Sequence, residues 1–202
     1  MLSSETLFAR PCEFIMGGAS IEGLPPAAYP EIAFSGRSNV GKSSLINALT
    51  GRKTLVKASN TPGRTRELNF FLLAELLMLV DLPGYGYAQA PGKDVAQWTR
   101  LVKAYLTGRP NLQRVCLLID SRHGLKEVDH GIMALLDKAA VSYQLVLTKT
   151  DKIKPAELAQ VLKACQDSLK KHPAAHPSIV ATSSETKDGI KELRAELAQF
   201  IN

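Results

Sequence analysis

Eight consecutive residues have the types and spacing to hold a phosphate chain: Gly36, Arg37, Ser38, Asn39, Val40, Gly41, Lys42 and Ser43, with Ser44 following. They match G-x-x-x-x-G-K-[ST], in which glycines let the backbone wrap closely around phosphate oxygens with its N–H groups pointing inward. Lys42 then supplies positive charge to the β- and γ-phosphates, and the Ser43 hydroxyl is a ligand for Mg²⁺. The turn opens a predicted helix whose N-terminal dipole favours the same anion. Asp81, Leu82, Pro83 and Gly84 follow an apolar run. An aspartate at the carboxyl end of a buried strand can hold Mg²⁺ through water, and Gly84 leaves its N–H to meet a γ-phosphate. An Asp-x-Pro-Gly stretch alone is an ordinary turn; after a phosphate loop it acquires the nucleotide role.

Thr148, Lys149, Thr150 and Asp151 end another apolar run and resemble the [NT]-K-x-D motif of GTPases. The Asp151 carboxylate can accept from guanine N1–H and from the N2 amino group together. Adenine lacks that donor pair and would leave the carboxylate unsatisfied. Lys149 can lay its stem on the base, and Thr182, Ser183 and Ser184 look like the companion loop whose backbone N–H meets guanine O6. GTP or GDP is therefore the expected ligand. Between the phosphate-loop helix and the next strands lies a polar, turn-rich segment containing Thr61, Gly63, Arg64 and Thr65. Thr65, with Thr61 second, is the candidate whose hydroxyl reaches Mg²⁺ when a γ-phosphate is present; Gly63 and Arg64 are assigned to the nucleotide site beside it. Tyr85 to Lys93 is the matching second switch. Lys42, Thr65 and Gly84 are the candidate catalytic groups. Tyr85 stands where Ras-like proteins place the glutamine that orients the attacking water, which predicts slow hydrolysis. Asn39 is a candidate K⁺ ligand at a position used so in several GTPase families, against the alternative that it only shapes the loop.

The elements that must position these residues alternate in period. Strand-like runs lie at 32–35, 69–74, 76–80, 115–119, 143–147 and 179–182. Helical patterns lie at 43–50, 94–107, 127–139, 155–171 and from 190 onward. The near-absent connection between the second and third strands requires an antiparallel hairpin. The expectation is an α/β fold: a three-layer, doubly wound, mostly parallel six-stranded sheet with one antiparallel edge strand. Residues 1–29 read as an N-terminal extension and 30–202 as one nucleotide-binding domain. Asp94 suits the N-cap of its helix, with Val95, Trp98, Leu101, Val102, Tyr105 and Leu106 as the apolar face.

At 202 residues, 45 % hydrophobic and 22 % charged, the chain has the composition of a globular domain. No apolar run approaches a membrane span and Met1 to Arg10 does not read as a signal peptide, so a cytoplasmic protein without membrane association is expected. Cys12, Cys116 and Cys165 form no Cys-x-x-Cys pair, and His172 and His176 read as solvated loop residues. Residues 36–110 carry eleven basic and four acidic groups, a local excess larger than the whole chain's net charge of +6, which suggests an anionic partner near that segment.

The run Pro30 to Ser35 leading into Gly36–Asn47 resembles the EngB family of bacterial ribosome-biogenesis GTPases, members of the TRAFAC class of P-loop GTPases. So do Thr61 to Thr65, Asp81 to Ala88, Thr148 to Asp151 and Ser183 to Thr186. The likeness covers about residues 12–200, and Arg64 stands where many relatives carry lysine. It implies a Ras-like fold, slow Mg²⁺-dependent GTP hydrolysis as a molecular switch, and action as a monomer. It also implies a role in assembling the large ribosomal subunit, through its rRNA or proteins, and in normal cell division and septation. A nucleotide kinase and a non-hydrolysing GTP scaffold are the competing classes. Thr148 to Asp151 argue against the first; Tyr85 leaves the second open.

Overall fold

The computed structural model describes residues 2–56, 67–85 and 92–201, and of residues 92–99 only the backbone. Seven strands form one sheet: β1 (Cys12–Gly18), β2 (Glu31–Gly36), β3 (Leu68–Leu73), β4 (Leu77–Asp81), β5 (Leu112–Asp120), β6 (Tyr143–Thr148) and β7 (Val180–Ala181). Their order is β1-β3-β4-β2-β5-β6-β7. The α-helices are α1 (Ser4–Ala9), α2 (Lys42–Thr50), α3 (Gly92–Gly108), α4 (Glu127–Lys138), α5 (Pro155–Leu169) and α6 (Ile190–Ala198).

The doubly wound, mostly parallel class is as expected, with one strand more than the six read from sequence. β3 is antiparallel to β4, as the hairpin required, yet it is not the edge. β1 pairs antiparallel with its outer side, from Cys12↔Leu73 to Gly18↔Leu68, and takes the edge position. Residues 2–29 thus contribute to the same body: β1 joins the sheet, and Leu7 and Phe8 of α1 are buried in its core. β1 escapes a reading by alternation because its middle is exposed, its register slips between Phe14 and Met16, and it ends in two glycines.

Alternation along the central strands divides the core in two. Ile32 and Phe34 of β2, and Cys116 and Leu118 of β5, meet α1, α2 and α6 through Phe8, Leu45, Leu49, Leu193 and Leu197. Ala33, Val115, Leu117 and Ile119 face α3, α4 and α5 through Leu101, Tyr105, Met133, Leu136 and Cys165. The result is helix, sheet, helix, with three α-helices to a side among the described residues. α3 begins at Gly92, ahead of Asp94. Its Leu101, Val102, Tyr105 and Leu106 are buried, while Arg100 and Lys103 are exposed. His172 is not a solvated loop residue: its Nδ1 lies 2.5 Å from Asp137, and His176 lies 2.9 Å from the Ser178 hydroxyl. Among the described residues no helix is long and apolar enough to cross a membrane.

A buried polar cluster fixes the amino end of β2. Glu31 is fully buried and accepts from Arg109 Nε at 3.0 and 3.1 Å, from Arg109 Nη2 at 2.6 Å and from the Tyr105 hydroxyl at 2.9 Å. Arg109 also donates to the Pro25 carbonyl at 2.7 Å. The far end of α3 and the 19–30 loop are tied there to the central strand.

Candidate nucleotide site

Because β2, β4, β5, β6 and β7 run parallel, their carboxyl ends share one edge of the sheet, where open α/β folds bind ligands. β2 lies between β4 and β5, and the chain turns at Gly36 into the phosphate loop. A Cβ on Gly36 would stand 2.8 Å from Val40 Cγ1 and 3.1 Å from Leu118, so only glycine fits. Asn39 and Gly41 take positive φ, 62° and 100°, which curls the loop. Gly41 is the N-cap of α2 and no side chain caps that helix, so its first N–H groups are left for an anion.

Lys42 and Asp81 meet in a direct ion pair, with both side chains largely buried. Ser43 sits in the first turn of α2 beside them. Two hard oxygen donors next to a lysine at a helix N-terminus suit Mg²⁺, which keeps most of its shell as water and phosphate oxygens. Among the described residues no three His, Cys, Asp or Glu converge into an all-protein cage. Thr61, Gly63, Arg64 and Thr65 lie outside the described residues, as does the second switch from Gly86 to Pro91.

The candidate base-reading residues grip the phosphate loop from the other side. Thr148 ends β6 and its hydroxyl donates to the Val40 carbonyl at 2.6 Å. Lys149 takes a positive φ of 59° and places Nζ 2.6 Å from the Asn39 carbonyl and 2.9 Å from Asp120. The chain then makes a single 3₁₀ turn, Thr150–Lys152, that presents Asp151. The Ser183 hydroxyl donates to Asp151 at 2.7 Å and Lys152 lies 3.0 Å from its other oxygen. Those two contacts, Ser183 foremost, hold the carboxyl below its ordinary range, so it stays an acceptor. Thr182 is buried, with its N–H and hydroxyl both on the Leu147 carbonyl at 2.7 Å. The Ser183 N–H is taken by the Asp188 carbonyl at 3.0 Å, so the Ser184 amide is the donor left for a base carbonyl.

Two site residues differ from a simple reading, and two more were missed. The Arg37 guanidinium pairs with Asp129 at 3.3 Å and donates to the Gly124 carbonyl at 3.1 Å, leaving its backbone as its share of the phosphate loop. Tyr85 is 4 % exposed and buries its ring in the core. Asp120 was missed although it ends β5 on the ligand edge, a position that could have marked it. Burial pushes its carboxyl up, but hydrogen bonds from Arg122 and Lys149 outweigh that and hold it low. Asp129 carries no such signal, because an acidic residue in the first turn of a helix is ordinary.

A curled phosphate loop, an uncapped helix, a buried Lys–Asp pair and a Ser183-braced carboxylate at the same sheet edge mark a P-loop nucleotide-binding protein. The family described as 50S ribosome-binding GTPase matches residues 31–149. A probable GTP-binding protein EngB from Rhodospirillum rubrum is 60 % identical over 201 residues, covering 97 % of this chain and 87 % of that protein. Its counterpart from Rhizobium etli is 53 % identical over 208 residues, covering 98 % and 96 %. The crystal structure of a probable GTP-binding protein EngB superposes with a TM-score of 0.67 at 23 % identity, over 85 % of this chain and 98 % of that one. Era, in complex with MgGDPNP and a piece of 16S ribosomal RNA, superposes with a TM-score of 0.66 at 24 % identity, over 86 % and 57 %. The chain belongs to the EngB family of GTP-binding switch proteins.

Proposed function

We propose that this protein hydrolyses GTP slowly, with Mg²⁺ held by Ser43, Asp81 and Thr65, and that it acts as a switch in assembly of the large ribosomal subunit. Bound Mg²⁺ would neutralise charge developing on the phosphates. Lys42 would hold the β- and γ-phosphates, and Gly84 would offer its N–H to the γ-phosphate. The observation that carries the nucleotide reading is the Ser183-braced Asp151 carboxylate at the same sheet edge as the phosphate loop. Slow turnover is supported by Tyr85: its side chain turns into the core, so the position after Gly84 brings no group to orient water.

The ribosomal partner is supported by the family match and by charge. Of the basic groups in segment 36–110, Arg37, Lys42 and Arg109 are internally paired. Arg52, Lys53, Arg100 and Lys103 are exposed and available to rRNA phosphates. A requirement in cell division and septation rests on the family resemblance alone. K⁺ at Asn39 is a proposal of the same kind. The Asn39 backbone carbonyl is taken by Lys149, so an ion there would draw on the side-chain oxygen.

The test is single-turnover GTP hydrolysis with and without large ribosomal subunits, together with co-sedimentation under GTP analogue and GDP. Stimulated turnover and salt-sensitive, GTP-dependent sedimentation are expected. Sedimentation indifferent to nucleotide would overturn the switch. Equal rates in KCl and NaCl would remove K⁺.

A further inference from the structure

Beside the phosphate loop lies a buried polar node that phosphate and base binding do not use. Asp129, in the first turn of α4, is fully buried. Its Oδ2 accepts the Lys126 N–H at 2.8 Å, which caps its own helix. Two further groups reach it from the nucleotide site: Arg37 Nε at 3.3 Å and the Tyr85 hydroxyl, which donates at 2.7 Å. Burial first, and the Asp129 charge next, push the Tyr85 phenol above its ordinary value, so it remains a donor. The Tyr85 backbone is also paired to the loop. Its N–H donates to the Gly36 carbonyl and its carbonyl accepts the Ser38 N–H, each at 3.1 Å. Gly84 is thereby laid flat on Ser38, where a Cβ would stand 3.1 Å from both Ser38 N and Cα.

We propose that Asp129 is a positioning residue for γ-phosphate recognition: acting through the Tyr85 hydroxyl, it fixes Gly84 over the phosphate loop before GTP arrives. This rests on the GTP site proposed above. The Gly84 N–H has a partner only in the third phosphate, so holding it in place favours GTP and is neutral towards GDP. Without the hold, GTP must bear the cost of ordering the segment. The residue in the place of a catalytic glutamine becomes a tether in this protein, and α4 becomes a third element joined to the phosphate loop.

The test is Tyr85→Phe, which removes one hydroxyl. Dissociation constants for GDP and for the β,γ-imido analogue of GTP are measured with Mg²⁺. GDP affinity should stay within about twofold and analogue affinity should fall about tenfold, the worth of one buried hydrogen bond to a charged group. Asp129→Asn keeps an oxygen for the phenol with a weaker hold, and should fall between wild type and Tyr85→Phe in the same ratio. Tyr105→Phe removes an equally buried hydroxyl from Glu31, far from the loop, and should lower stability while leaving the ratio unchanged. A wild-type ratio in both node variants, or equal weakening of both nucleotides, overturns the proposal. A wild type that binds neither nucleotide overturns the site reading itself.

Discussion

Replacing Asp151 by asparagine should change which base the site accepts. The Asp151 side chain is only 11 % exposed, and Ser183 and Lys152 already hold its two oxygens in place. Guanine would add two donors, N1–H and the N2 amino group, to a fixed carboxylate. Each charge-assisted bond is worth roughly 1.5 kcal/mol net, so losing both costs about 3 kcal/mol, or roughly a hundredfold in affinity. The substituted amide would still offer one oxygen, which Ser183 can occupy, and would turn an amino group towards the base. Xanthine carries a carbonyl in place of the N2 amino group and can accept from it. GDP affinity of Asp151→Asn should therefore fall by about two orders of magnitude while xanthosine diphosphate affinity rises. Calorimetric titration of both nucleotides with Mg²⁺ measures each. Unchanged GDP affinity, or no gain for xanthosine diphosphate, would mean that Asp151 does not read the base.

Three further substitutions probe the frame around the site. Glu31→Ala leaves Arg109 and Tyr105 facing an empty acceptor in the core, which should cost about 4 kcal/mol and lower Tm by roughly 12 °C; a shift within about 2 °C would show that the cluster is neutral to stability. Ala74 and Glu75, the two central residues of the turn between β3 and β4, both have φ of 57°, so Glu75→Gly should stabilise by about 1 kcal/mol in urea melts, and destabilisation would refute the strain reading. Asp120 has a folded pKa below its unfolded value, so its contribution is full above about pH 4 and is lost as pH falls towards the folded value. Asp120→Asn should accordingly lose stability near neutrality, with the gap narrowing in acid; a pH-independent difference would contradict the linkage.

The legible parts of this protein are those whose period or spacing is local. β2, β5 and β6 read as apolar runs because both their faces are buried, and the phosphate loop reads as a motif because its glycines answer to backbone geometry. Asp151 reads as a candidate because the motif it belongs to is contiguous in sequence. β1 does not read as a strand, since an edge strand with an exposed middle has no alternation to show. Arg37 was given to phosphate from its place in the loop, and nothing local says that its guanidinium turns to Asp129, ninety-two residues on. The same distance hid Asp129 and the fate of the Tyr85 ring.

The long-range contacts share a pattern that the motifs do not reveal. The phosphate loop is braced on one flank by Thr148 and Lys149, which hold the Val40 and Asn39 carbonyls, and on the other by Tyr85, which pairs with Gly36 and Ser38. The first brace belongs to the element proposed to read the base. The second belongs to the segment that would meet the γ-phosphate. Each brace ends on a buried carboxylate at the start or end of a neighbouring element: Asp120 at the end of β5 takes Lys149, and Asp129 in the first turn of α4 takes Tyr85. Both carboxylates flank one short connection, residues 121–126, which leaves Arg122, His123 and Lys126 exposed at its surface. Lys149 and Tyr85, sixty-four residues apart in sequence, thus end their braces on the two sides of one connection, between β5 and α4.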